Sequence, residues 1–366
     1  MQRRGNMLSL RKSIVSRTAV AAAVAAAFAA PAAATPIEGL QIMRELNLVA
    51  LGNASTNHDV EGRTYVGGNL TGGGTFNKGG QGNETASNRP VLQVGGNITG
   101  MKNIQSNGLS NPVVEAGGHV GNMNLNGTFT VRAGGSIGIQ NKNQSTFEEG
   151  AQVSIPYFGD TFNDLSFQLA QLSDTGGSYH LDGQTLVVDP VADMSGVAVM
   201  DLGDVNSMLQ SGGSYFSSIA FNDDAEAMDT IVMNVGGSSF SFDDNFLGGG
   251  IYADLMSLSS NVIWNFYEAV TLDFNREFFG SILAPLATIT NQNALNGSVV
   301  VNTAQLNGEV HLSTYGGQNL TFSDPPGPIG GNPGGGSESV PAPAALGLLA
   351  FGLAGAGIAR RRRKAG

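Results

Sequence analysis

Between residues 60 and 140 the apolar positions come in short clusters broken by paired glycines. Val66-Gly67-Gly68-Asn69-Leu70 is followed by Val94-Gly95-Gly96-Asn97-Ile98, Ala116-Gly117-Gly118-His119-Val120 and Ala133-Gly134-Gly135-Ser136-Ile137. The copies lie 28, 22 and 17 residues apart. A Gly-Gly pair permits positive φ and close backbone approach, so between aliphatic residues it predicts a sharp corner joining two short strands. Corners recurring at roughly twenty-residue intervals predict the coils of a solenoid, each burying its apolar edge on the next. The expected fold is all-β: a parallel β-helix. An antiparallel sandwich with Gly-rich turns is the alternative. Asn at the corners is expected to form ladders that satisfy open backbone groups.

Two stretches break the strand pattern. Ile37, Leu40, Met43 and Leu46 fall at helical spacing and lead into Leu48-Val49, which predicts a short amphipathic helix running into a strand. Phe158, Phe162, Leu165, Leu169 and Leu172 predict a helix over 161–173, with Asp160 as N-cap and Gly176 as stop, packed on one flank of the coil. Afterwards short β-branched runs return: 185–188, 197–200, 219–221, 230–235, 261–266, 270–274, 281–283, 287–290, 298–301, 309–312 and 320–322.

Composition sharpens this picture at the two ends. Of 18 basic residues, ten lie in the first 17 and last seven positions, where no acid occurs. Residues 35–339 hold the other eight against 29 acids, or 8 − 29 = −21. Such a surface repels nucleic acid and anionic lipid, so no nucleic-acid partner is expected. The absence of cysteine fits an exported bacterial protein without disulfides and excludes thiol catalysis. Residues 1–34 carry a basic start, an Ala-rich apolar run and the small residues Ala32 and Ala34, as in a signal peptide cleaved after Ala34. The expected domain spans 35–323, followed by a Gly/Pro linker over 324–339. Residues 340–366 then present Val340-Pro341-Ala342-Pro343, an apolar segment suited to a transient membrane helix, and the basic cluster Arg360, Arg361, Arg362 and Arg363.

That tail resembles the PEP-CTERM sorting signal, with Ala342 where the usual motif has Glu. The resemblance implies an exosortase as processing partner, membrane contact only through this segment, and a place at the envelope or outer surface of a Gram-negative bacterium. Asp59-Val60-Glu61-Gly62-Arg63, Thr230–Gly237, Val262-Ile263-Trp264-Asn265-Phe266 and Gly280-Ser281-Ile282-Leu283-Ala284-Pro285 resemble, in order, the choice-of-anchor A domain. The last of these segments is also similar to ice-binding-like β-helical domains. The resemblance implies a surface protein of the β-helix type and carries over no catalytic residue.

Candidate chemistry is sparse. Asp223, Asp224, Glu226 and Asp229 could offer oxygens to Ca²⁺ from one loop, although neither the EF-hand nor the Gly-Gly-x-Gly-x-Asp pattern is present; a solvated acidic loop is the plainer reading. His58, His119, His180 and His311 form no local pair and are not expected to bind metal together. Arg63 is expected to pair with Asp59 or Glu61. Trp264 and Phe266 point the same way on a strand and are expected in the core rather than on a carbohydrate platform. Ice binding needs ranks of Thr, and the sequence shows two isolated pairs, 128/130 and 288/290. The expected function is a non-enzymatic surface or matrix protein that adheres to exopolysaccharide. A polysaccharide-acting β-helix enzyme and an ice- or surface-binding protein are the alternatives.

Overall fold

The computed structural model describes residues 36–80, 85–204, 217–320 and 322. The expected signal peptide with Ala32 and Ala34, the expected linker, the motif Val340–Pro343 and the arginines Arg360–Arg363 lie outside the described residues. The chain divides into two units, Met1–Phe322 and Ser323–Gly366, and the fold is that of the first.

Parallel strands stack into a three-sided solenoid. The first face begins at Leu48–Ala50 and steps through Thr64–Val66, Leu92–Val94, Val113–Ala116 and Thr130–Ala133 to Thr146–Glu149. The chain then returns to the far end. It starts again at Val197–Asp204 and steps inward through Thr230–Gly236, Val262–Phe266 and Ser281–Asn291 to Val299–Leu306. This last strand pairs with the first one, Leu48 against Val299 and Ala50 against Val301. Two half-solenoids therefore grow toward and away from a central seam. The registers are parallel throughout this face, which rules out the antiparallel sandwich. The shortest coils take 16 residues (Leu48 to Thr64) or 17 (Val113 to Thr130), and the longer ones add residues on loops, so the irregular spacing leaves the rungs intact.

Strand alternation on the first face fills two cores. Leu48, Ala50, Val299, Val301, Ile282 and Ala284 point inward to the solenoid axis. Between them Val49, Val300, Leu283 and Ile263 point outward, under two helices. These are α1 (Pro36–Glu45) and α2 (Gly159–Ala170). Residues buried on both sides of a strand each contribute about 1.5–3 kcal/mol of transfer free energy, which accounts for the continuous apolar runs. The second half-solenoid adds rings to this filling: Phe242, Phe246, Phe274 and Trp264 each pack with their ring centroid within 5.3 Å of that of Phe278.

The Gly-Gly corners turn on close approach alone. None of the eight glycines has positive φ. A Cβ on Gly95 would lie 2.0 Å from the Gly67 carbonyl oxygen, one on Gly117 2.2 Å from that of Gly95, and one on Gly134 2.1 Å from that of Gly117. The expected polar ladder runs beside this column. The side-chain oxygens of Asn53, Asn69 and Asn97 accept from the next coil's N–H at Asn69, Asn97 and His119, each at 2.8 Å. His119 Nδ1 then accepts from the Ser136 N–H at 3.0 Å.

α2 starts and stops earlier than its periodicity implies. Phe158 occupies the N-cap position without a side-chain cap, and Asp160 lies in the first turn, where its charge meets the positive helix end. Phe158 is buried against Tyr65, with ring centroids 4.6 Å apart, and this packing sets the entry. Gln171 closes the helix, and Gly176 stands clear of it at φ +93°. The stretches 281–283 and 287–290 form one strand, Ser281–Asn291, with an irregularity between Ala284 and Thr288. Leu320 and Phe322 are not in a strand.

A lysine sits inside the solenoid wall. Lys102 is fully buried, and its Nζ donates to the carbonyls of Gly72 at 2.7 Å and Thr99 at 2.6 Å. Burial pushes its pKa down from 10.5 to about 8. Between those values the unfolded chain holds a proton that the folded chain has lost, so stability rises with pH across that window. The gain is expected to be on the order of 2 kcal/mol, and Lys102→Met flattens the slope. Denaturant midpoints of the two proteins from pH 7.5 to 10.5 check this; equal slopes contradict it.

Candidate adhesion face

The second face follows the corners. Four strand segments of the second half and two of the first lie side by side: 239–242, 271–274, 288–291, 303–306, 54–56 and 70–72. Their inward positions, among them Phe240, Leu272, Ile289, Ala304, Ala54 and Leu70, pack into the core. The alternate positions point outward and align in two rows. One row runs Ser239, Thr271, Thr288, Thr303. The other runs Ser241, Asp273, Thr290, Gln305, Ser55, Thr71. Neighbours in a row repeat at about the 4.8 Å strand spacing.

Rigidity comes from below and from within the rows. Every second residue is locked in the core, so the outward groups keep their register. The Thr290 hydroxyl donates to Asp273 in the adjacent strand. Where the two halves meet, Ser55, Asn53, Asn69, Thr71, Thr303 and Gln305 line a shallow open depression. Ser55, Thr71, Thr271 and Gln305 are exposed. Such a surface presents hydroxyl, amide and carboxylate groups at fixed repeats and suits an extended, polar, regular ligand.

The residues singled out from sequence fall elsewhere. Asp223, Asp224 and Glu226 lie on a 3₁₀ turn, Asp223–Ala227, pinned by buried Ala225 and followed by buried Met228. Glu226 accepts from the Asp254 N–H. These three and Asp229 are exposed, and their ligand atoms do not converge as a group among the described residues. Trp264 and Phe266 are buried as expected, and Trp264 Nε1 donates to the Phe279 carbonyl at 2.9 Å. Arg63 is buried, and Asp59 pairs with Lys78 at 2.8 Å. The histidines do not meet one another, but His311 joins Glu61 and Glu309 in a convergent cluster that the linear sequence does not suggest.

A family model of the ice-binding-like adhesive domain matches residues 39–312, from α1 through the last seam strand. The chain belongs to this family. The match covers both half-solenoids, including every segment of the second face. A second model, the PEP-CTERM protein-sorting motif, matches residues 339–364 and agrees with the expected tail. That motif is processed by exosortases and directs the adhesive domain to the cell envelope. The crystal structure of an ice-binding protein from an Antarctic bacterium, Flavobacteriaceae, shares 15% identity over 78% of this chain and 85% of its own, with a TM-score of 0.28. That likeness is too loose to carry an argument. No curated protein matches the chain. Among the described residues no helix is long and apolar enough to cross a membrane.

Proposed function

We propose that this adhesive domain is a non-enzymatic matrix protein that binds exopolysaccharide at the cell surface through its second face. The in-register rows Ser239/Thr271/Thr288/Thr303 and Ser241/Asp273/Thr290/Gln305/Ser55/Thr71 carry the reading. Sugar hydroxyls recurring along a chain meet hydroxyl, amide and carboxylate partners that recur along the rows. The sorting tail supports display at the envelope, and a choice-of-anchor A architecture with the domain at 35–323 rests on the order of the sequence motifs alone. The segment 340–366 serves as a transient anchor until exosortase acts at Val340–Pro343. Calcium belongs to the same proposal. The exposed carboxylates of Asp223, Asp224, Glu226 and Asp229 do not converge by themselves and hold an ion only together with the carboxylates of an acidic glycan, at a contact separate from the second face.

Ice is the second reading, favoured by the three consecutive threonines Thr271, Thr288 and Thr303 in one row. Glycan is preferred because Asp273 and Gln305 interrupt the neighbouring row with a charge and an amide. Full-length protein incubated with the producer's own exopolysaccharide is expected to co-sediment saturably, more weakly in chelator. Thermal hysteresis without polysaccharide binding would transfer the face to ice. Turnover of labelled polysaccharide would make the protein an enzyme.

A further inference from the structure

We infer that Glu61, Glu309 and His311 form a binding site for one divalent transition-metal ion, a zinc-class clip across the seam of the two half-solenoids. One ligand atom from each residue lies within 4.8 Å of the others. A zinc ion takes carboxylate oxygen and imidazole nitrogen at about 2.0–2.2 Å, so three donors around it fall within that separation. A mixed imidazole and carboxylate set selects such an ion over calcium or magnesium, which prefer oxygen alone.

The orientation of His311 points to a cation between ring and carboxylate. Its Nδ1 faces the Asn296 side-chain oxygen at 3.2 Å. The sense of that amide is fixed, because its nitrogen donates to Glu277 at 3.0 Å and to the Phe278 carbonyl at 3.2 Å. The tautomer with the proton on Nδ1 satisfies the Asn296 oxygen. In the neutral imidazole Nε2 then presents a lone pair, yet it faces the Glu309 carboxylate at 2.9 Å. Two electron-rich atoms meet there unless a proton or a metal ion lies between them. An imidazole held through Nδ1 by an outer partner, with Nε2 turned toward carboxylates, is the arrangement by which proteins aim a histidine at a metal.

Charge argues the same way. Asp59, Glu61 and Glu309 cluster around one lysine, Lys78, which lies 2.8 Å from Asp59 and 3.8 Å from Glu309. Glu61 is also held in place from outside: its Oε2 accepts from the Leu312 N–H at 2.9 Å, and a Cβ on Gly80 would lie 1.9 Å from that oxygen.

The location gives the site its consequence. Glu61 follows Val60, which forms an isolated parallel bridge to Val310 of the last coil, and the Glu61 N–H donates to the Val310 carbonyl at 3.0 Å. Ligands 248 residues apart in the chain (309 − 61) thus meet across the seam. An ion bound only by the folded arrangement stabilises it by mass action.

The test titrates tag-free, chelator-stripped full-length protein with Zn²⁺ by calorimetry and follows thermal unfolding. One ion per chain and a rise in Tm are expected. Calcium at the same concentration is expected to leave Tm where it was. Glu61→Gln, Glu309→Gln and His311→Gln should each weaken Zn²⁺ binding at least tenfold, with unchanged far-UV circular dichroism. Asp223→Asn/Glu226→Gln should bind zinc as the wild type does. Absence of stoichiometric binding overturns the inference. So does binding that survives all three seam variants or is lost with the loop variant. Because the loop variant reports on the calcium part of the polysaccharide proposal, the two ideas fail separately.

Discussion

Gly95→Ala is expected to cost about 3–5 kcal/mol and to leave the domain marginal or unfolded at room temperature. The added Cβ would lie 2.0 Å from the Gly67 carbonyl oxygen of the coil before it. Relief requires the coils to part, and they cannot part locally. The Gly95 N–H donates to Val66 at 2.7 Å and the Gly96 N–H to Gly68 at 2.7 Å, so the clash sits between two short rungs. The same contact recurs above it at Gly117 and below it at Gly67, which makes the column cooperative. Gly108→Ala is the control. Gly108 has φ +78°, and a methyl group added there would meet nothing within 4 Å, so only backbone strain of about 1–2 kcal/mol applies. Urea unfolding of both variants measures the difference, and an equal or smaller loss for Gly95→Ala would contradict the packed corner.

The second large effect lies under α2. Asn265→Leu is expected to cost about 3–5 kcal/mol, although the two side chains are similar in size. Asn265 is fully buried on the outer side of the first face. Its oxygen accepts from the Ser166 hydroxyl at 2.6 Å, and its nitrogen donates to the Ser166 carbonyl and to Asn234, both at 2.9 Å. Asn234 in turn donates to the Leu169 carbonyl at 2.8 Å. Leucine would strand a hydroxyl and an amide oxygen away from water. Replacing both asparagines with leucine removes two partners together, so the double variant should cost less than the sum of the single ones. Strict additivity in a double-mutant cycle would show that the amides do not act as a network.

Much of the architecture was legible because the coil geometry is written locally. Val94-Gly95-Gly96-Asn97-Ile98 contains a rung, its corner, its ladder residue and the next inward position. Helix α2 was legible from Phe162, Leu165 and Leu169, but its start was not: Phe158 rather than Asp160 holds the N-cap position, because its burial on Tyr65 is a tertiary fact. The seam was hidden. Leu48-Val49-Ala50 is apolar like any other rung, and nothing local encodes Val299-Val300-Val301 as its partner.

The candidate face was hidden for the same reason. Thr71, Ser55 and Gln305 are neighbours across the seam, yet they stand up to 250 residues apart along the chain (305 − 55). A signal did exist. Ser239-x-Ser241, Thr271-x-Asp273, Thr288-x-Thr290 and Thr303-x-Gln305 share one polar-apolar-polar pattern beside a core residue. Scanned for singly, they look like isolated pairs; scanned for as a family, they outline the rows. Glu61 and His311 had no such signal, because their meeting depends wholly on the last coil joining the first.

The most direct measurement compares saturable co-sedimentation of wild-type protein and the Thr71→Arg/Gln305→Arg variant with the producer's exopolysaccharide. Both positions are exposed on the second face, so the variant should melt within a degree or two of wild type. Two long side chains across the rows should weaken binding at least tenfold. Undiminished binding by a folded variant would show that the face is not where the polysaccharide sits.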